Sequence, residues 1–114
     1  MNWIALTELD QLDAIDQTSK DRPVLIFKHS TRCSISSAAL GRLERAWTPV
    51  DDAHIAYFLD LLKYRSISNA IAKRYMIEHE SPQALVIRNG KCIDVSAHFG
   101  ITYTDLIAQL KVEA

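Results

Sequence analysis

Two cysteines, Cys33 and Cys92, are the strongest nucleophiles this chain offers, and Cys33 stands in a setting that would activate it. It lies in the stretch Val24 to Ser36, VLIFKHSTRCSIS, where an apolar run stops at Lys28-His29, crosses a short polar turn and meets a helical pattern at the cysteine. The first turn of a helix offers unpaired backbone N–H groups and the positive end of the dipole, and both favour a thiolate over a thiol. Three residues on, Cys33-Ser34-Ile35-Ser36 ends in serine, where a dithiol oxidoreductase needs a second cysteine to release its substrate. The expected chemistry is therefore monothiol. Cys33 attacks a mixed disulfide, becomes thiolated itself, and needs a thiol from outside the chain to regenerate it. Ser36 follows one helical turn on, where its hydroxyl could donate to the thiolate, and Arg32 adds positive charge beside it. The same two residues also read as an ordinary first-turn serine and a solvated surface arginine.

Cys92 is the one candidate within the chain for the missing partner. Asn89-Gly90 between two strand-like runs signals a type I′ hairpin, which pairs Arg88 with Lys91 and sets Cys92 opposite Ile87. At about 3.3 Å per residue it then lies on the order of 15 Å from Pro82, at the other end of the strand. If Ser81-Pro82 adjoins Cys33, as a thioredoxin arrangement requires, Cys92 is too far away, since disulfide formation needs Cα atoms within about 7 Å, and it is then read as a small structural hydrophobe. His29 and Cys33 are four apart, but they straddle the turn and no second CxxC or HxxxH completes a metal set, so no metal is expected. His29, His79 and His98 could line the site or serve as structural histidines. A phosphatase-type CX5R loop is ruled out because position 39 is alanine.

The elements that must position Cys33 follow from periodicity. Thr7-Glu8-Leu9-Asp10 resembles a capping box, with Leu9, Leu12 and Ile15 at helical spacing, and predicts a first helix ending near Ser19. Val24 to Phe27 is an unalternating strand, covered on both faces. Ile35, Ala39, Leu43 and Trp47 make one face of the helix that follows, which Thr48-Pro49 ends. His54 to Leu62 reads as a strand or a buried helix. Ser66 then caps a helix carrying Ile67, Ala70, Ile71 and Tyr75. The hairpin comes next, and Tyr103, Leu106, Ile107 and Leu110 form the last helix. Two parallel βα units followed by a hairpin and a helix predict a thioredoxin-like α/β fold: a four-stranded mixed sheet flanked by helices, with an extra N-terminal helix.

Size and composition agree with that order. A length of 114 residues suits one domain, 1–114, with its own core. A net charge of −1 gives no reason to expect nucleic acid or an anionic membrane as partner. The most apolar window, Ala53 to Leu62, is broken by Asp60 and is far short of the ~20 residues a membrane span needs. The acidic N-terminus does not read as a secretory signal, and two widely spaced cysteines suggest a reducing cytoplasm.

The segments HSTRCSIS at 29–36 and HESPQALVIRNGK at 79–91 resemble, in order and separation, the monothiol bacilliredoxins of the bacillithiol system, the YtxJ-like family of thioredoxin-fold proteins. The likeness runs from about Pro23 to Gly100. It departs at Ser34, where the commoner family form has proline, a position that modulates the thiolate. The resemblance implies an enzyme that removes bacillithiol, or a similar low-molecular-weight thiol, from protein mixed disulfides through Cys33. Bacillithiol would serve as cosubstrate with no bound cofactor, bacillithiolated proteins would be the clients, and a reductase could recycle the small thiol. It also implies a cis Ser81-Pro82 loop facing Cys33, with the Ser81 backbone free to pair with substrate. Gly100 and the start of the last helix, Thr102 to Thr104, would form the remaining wall, whose N–H groups could accept a carboxylate. Two other readings stay open. One is an iron–sulfur carrier like the monothiol glutaredoxins, although those have Gly-Phe where Ser34-Ile35 stands here. The other is a non-catalytic thioredoxin-like interaction module.

Overall fold

The structure, a computed structural model, describes residues 1–111. Its elements in chain order are β1 (Trp3–Ala5), α1 (Gln11–Thr18), β2 (Val24–His29), α2 (Ser34–Ala46), a 3₁₀ turn at Pro49–Ala53 and β3 (Ile55–Asp60). There follow α3 (Arg65–Tyr75), β4 (Gln83–Arg88), β5 (Lys91–Ala97), a 3₁₀ turn at His98–Gly100 and α4 (Tyr103–Leu110). The strands form one mixed sheet in the order β1-β3-β2-β4-β5. β2 runs parallel to β3 and antiparallel to β4, so the strand that leads to Cys33 is the central one.

The unalternating character of β2 has its reason in the two layers that cover it. Val24 and Ile26 join a core with Leu12 and Ile15 of α1 and Ile67, Ile71 and Tyr75 of α3. Leu25 and Phe27 join the opposite core with Ala39 and Leu43 of α2 and Leu106, Ile107 and Leu110 of α4. Each large apolar side chain taken out of water in these layers contributes roughly 1.5–3 kcal/mol.

The hairpin has the expected geometry. Asn89 and Gly90 both have positive φ, 54° and 71°, Arg88 pairs with Lys91, and Ile87 pairs with Cys92. A bulge between Val86 and Ile87 then lets the register pass from Cys92 to Asp94. Ser19 fastens this turn to the end of α1, its carbonyl accepting from Asn89 N–H at 2.8 Å and Arg88 Nη1 at 2.7 Å. Its hydroxyl accepts from Gly90 N–H at 2.9 Å.

Four expectations are corrected. The sheet has five strands, because Trp3, Ile4 and Ala5 pair in parallel with Ala56, Tyr57 and Phe58 at the β3 edge. The Thr7 capping box does not form. Gln11 does that work from inside the helix, its Oε1 accepting from the N–H groups of Thr7 and Glu8 at 2.7 and 2.9 Å, and Leu9 is left exposed. Helix α3 is preceded by Tyr64 and not capped by Ser66, which lies in its first turn. The buried part of β2 does not stop before Lys28, since both Lys28 and His29 are strand residues shut away from solvent. The N-terminal helix, the strand at Ile55–Asp60 and the last helix are found where the periodicity puts them.

Candidate active site

Cys33 is the residue at which strand geometry becomes helix. Its own backbone is extended, with φ −110° and ψ 117°, and it is the N-cap of α2. Its N–H donates to the Ser30 carbonyl at 3.2 Å and its carbonyl accepts from Ser37 N–H at 3.1 Å, which closes the turn and starts the helix. The thiol is half-exposed and free, flanked by the exposed side chains of Arg32 and Ser34. Cys33 therefore stands at the positive end of a 13-residue helix, although its side chain makes no capping hydrogen bond to the first turn.

Ser36 occupies a different place from the one expected. It is fully buried, and its Oγ lies 2.6 Å from His29 Nδ1 and accepts from Ser30 N–H at 3.0 Å. No hydrogen bond to the Cys33 sulfur is formed among the described residues. Ser36 therefore ties the end of β2 to the first turn of α2. His29 in turn rests against Phe58, with ring centroids 5.5 Å apart, and against Phe27 at 6.4 Å. Burial pushes this imidazole below its ordinary range, against the pull of Asp60 and Glu44.

The proline loop is carried to the same end of the sheet. Lys28 pairs with Gln83 across β2 and β4, so Pro82, the next residue back, stands level with His29. The Ser81-Pro82 peptide bond is cis. Neither backbone group of Ser81 has a backbone partner among the described residues, whereas the Pro82 carbonyl accepts from His98 N–H at 3.2 Å. That bond draws the His98–Gly100 turn alongside, where it packs against α2. Gly100 is exposed on this turn, and Phe99 beside it is 72% exposed. Thr102 caps α4, its Oγ1 accepting from Asp105 N–H at 3.3 Å, which leaves its hydroxyl hydrogen without a partner among the described residues.

Beneath the loop lies a group that its charge alone would place outside. Lys28 is fully buried, and its ammonium donates to the Ser68 carbonyl at 3.1 Å and meets His79 Nδ1 at 3.3 Å. Burial lowers Lys28 to about 8. Gln83 adds a second tie, its Nε2 donating to the Glu78 carbonyl at 2.9 Å. Of the histidines, His29 and His79 are thus parts of the support, and His98 is an exposed member of the turn. His29 and Lys28 carry roles their immediate neighbours in sequence do not disclose. No group of three or more His, Cys, Asp or Glu side chains among the described residues is arranged to hold a metal ion.

Cys92 lies elsewhere. It packs against the core beneath α1 and α3, whereas Cys33 opens the helix on the other side of the sheet. Cys92 faces Ile87, which pairs with Val24 at the start of β2, so most of the strand, roughly 16 Å at 3.3 Å per residue, separates it from the end that leads to Cys33. Burial raises the Cys92 thiol, and its Sγ donates to the Asp94 carbonyl at 3.2 Å.

A central strand running into a helix capped by a half-exposed cysteine, with a cis-proline loop level with the strand end, defines a thioredoxin-fold thiol oxidoreductase. Similar structures have that fold. One, provisionally described as an oxidoreductase with a thioredoxin fold, is 29% identical, with a TM-score of 0.77 over 93% of this chain and 91% of its own. The thioredoxin of Malassezia sympodialis is 23% identical over 93% and 85% of the two chains, with a TM-score of 0.67. That of Fasciola hepatica is 15% identical over 96% and 98%, with a TM-score of 0.69, and these two speak for the fold alone. A family model described as monothiol bacilliredoxin BrxC matches residues 4–106, and the chain belongs to that family. Its role is thiol-based redox chemistry, and no helix among the described residues is long and apolar enough to cross a membrane.

Proposed function

We propose that this protein is a monothiol thiol-disulfide oxidoreductase that removes bacillithiol from protein mixed disulfides through Cys33. The observation that carries the reading is the combination of a half-exposed thiol at the cap of α2, a serine one turn later and a second cysteine on the far face of the sheet. The Cys33 thiolate attacks the bacillithiol sulfur of the client's disulfide. The client leaves as a thiolate, and a Cys33–bacillithiol disulfide remains. A second bacillithiol thiolate then attacks the bacillithiol sulfur of that adduct. It releases bacillithiol disulfide and returns Cys33 as a thiolate, leaving the released disulfide for a separate reductase.

The surrounding residues support this division of labour. The unpaired backbone of Ser81 is suited to an extended client segment, and Pro82 holds that segment's edge beside Cys33. Arg32 and Ser34, both exposed, flank the sulfur on the solvent side. Gly100 leaves room for a bulky thiol, and the N–H groups that follow Thr102 are available for one of its carboxylates. A soluble protein substrate in the cytoplasm, and no nucleic acid or membrane, completes the proposal.

Intact-mass measurement after incubation with bacillithiol disulfide or a bacillithiolated client tests it. One adduct is expected, on Cys33, abolished by Cys33→Ser and retained in Cys92→Ala. An adduct chiefly on Cys92, or none while glutathione disulfide reacts readily, overturns the proposal.

A further inference from the structure

Beside the proline loop the chain leaves a cleft of about 340 Å³ between the end of α3 and the outer strand β5. Met76, Ile77 and Val95 give it apolar walls, and Glu78 and Glu80 stand among them. Val95 pairs with Leu85, which belongs to the core under α1 and α3, so the cleft lies on that face of the sheet. Gln83 lines it too and is 1% exposed. Its Nε2 donates to the Glu78 carbonyl, which fixes the amide and turns the oxygen away from that carbonyl. The Gln83 oxygen is buried with no donor among the described residues, a costly condition for an acceptor. Neither Glu78 nor Glu80 has an ion-pair partner among the described residues. Lys28, the register partner of Gln83, is committed to the Ser68 carbonyl and His79.

Apolar walls, two unpaired carboxylates and a buried acceptor without a donor complement one kind of group, a long side chain with an apolar stem and several N–H donors. We propose that the cleft receives an arginine side chain of the client protein. The stem lies between Met76 and Val95, and the guanidinium, with five donors in one plane, serves Gln83 Oε1 and a carboxylate together. Glu80 and Gln83 flank Ser81-Pro82 in the chain, so a client segment lying across the loop has Cys33 on its α2 side and the cleft on its α3 side. The cleft thus selects clients by a residue near the modified cysteine. This use of it rests on the mixed-disulfide exchange proposed above, whereas its affinity for arginine does not.

Two measurements test the proposal. In the first, N-acetylarginine methylamide is titrated into the reduced protein, with the neutral N-acetylcitrulline methylamide as its counterpart, while NMR follows the Met76 methyl group and the Gln83 side-chain amide. The arginine probe should shift both signals saturably, and the citrulline probe should bind roughly tenfold more weakly. That preference should be lost when Glu78→Gln and Glu80→Gln are combined. It should be kept in Glu8→Gln, which removes an exposed carboxylate beyond β1 at the opposite edge of the sheet. No saturable shift at the two residues, equal binding of the two probes, or the same loss in Glu8→Gln overturns the proposal. In the second, short peptides carry their cysteine as a mixed disulfide with mercaptoethanol and hold arginine or citrulline at successive positions around it. Cys33 attacks the mercaptoethanol sulfur, and the peptide leaves as a thiolate. At one position arginine should speed this step several-fold, and the gain should vanish in the double glutamine variant. Rates indifferent to arginine at every position overturn the docking role. If no peptide reacts at all, the exchange itself fails and the docking role with it, whereas the first measurement still decides whether the cleft takes arginine.

Discussion

The Lys28 ammonium lies 3.3 Å from His79 Nδ1, a cation with no exposed surface set under the loop that ends in Ser81-Pro82. The pair joins the central strand to the proline loop, and the Ser68 carbonyl joins both to α3. Burial acts on both members of the pair in the same sense, lowering Lys28 to about 8 and taking His79 below its ordinary value with help from the nearby Lys28 and Arg65 charges.

Replacing Lys28 should change how stability depends on pH. Above about pH 8 the folded protein sheds the Lys28 proton while the unfolded chain keeps it up to its ordinary value of 10.5. The unfolded state then binds more protons, so this residue's contribution to stability rises with pH across that window, and its cost is full below it. Urea titrations should show the wild type gaining about 2 kcal/mol on Lys28→Met between roughly pH 7.5 and 10. A constant gap would mean that Lys28 titrates as an ordinary surface lysine.

The substitution Ser36→Cys should create a dithiol site. The introduced thiol would stand one turn from Cys33 at the start of a helix. An adduct on Cys33 should then give way to an internal disulfide between Cys33 and the new thiol, about two mass units below the reduced protein. The change also removes the oxygen that Ser30 N–H and His29 share, and a loss of about 1–3 kcal/mol in stability is expected. A Cys33 adduct as persistent as in the wild type would show that position 36 does not set the monothiol behaviour.

Cys92 should be silent in the folded state. Its thiol is raised by burial and donates to the Asp94 carbonyl, so iodoacetamide at about pH 7.5 should label Cys33 alone and reach Cys92 only in denaturant. Cys92→Ala should leave exchange activity unchanged and cost about 1 kcal/mol of stability. Equal labelling rates for the two cysteines in the native protein would contradict the placement described.

Asp51 should contribute to acid sensitivity. It is buried, which opposes its charge, but Tyr103 Oη donates to it at 2.6 Å and the Thr48 N–H and hydroxyl donate at 2.9 and 3.0 Å. These bonds outweigh burial and hold the carboxyl below its ordinary value. A depressed carboxylate stabilises the fold above its unfolded value and loses that contribution as pH falls through the folded one. The melting temperature of Asp51→Asn should therefore lie below the wild type at about pH 6, and the gap should narrow toward roughly pH 3. A gap that does not move with pH would argue for shape and against charge.

How legible these features were in the sequence depends on distance along the chain. β2 and the hairpin could be read because their signals are local: an unbroken apolar run and an Asn-Gly pair at positive φ. β1 could not, since a three-residue edge strand with two exposed members is defined by its partner β3 and not by its own pattern. The cysteine and its helix were legible for the same local reason. The His29–Ser36 contact was not, because seven residues and a change of period from strand to helix separate the two, and neither periodicity predicts a meeting. Lys28 misled in a simpler way. A charge at the end of an apolar run reads as a boundary, and only the Ser68 carbonyl and the His79 ring make burial tolerable there.

The separation of the two cysteines onto opposite faces of the sheet has a kinetic consequence. An internal disulfide closes at a rate that does not depend on concentration, but in the proposed monothiol exchange each transfer of a small thiol requires an encounter between two molecules. Turnover through Cys33 should therefore scale with the supply of free small thiol, and stall in the adduct when that supply is diluted.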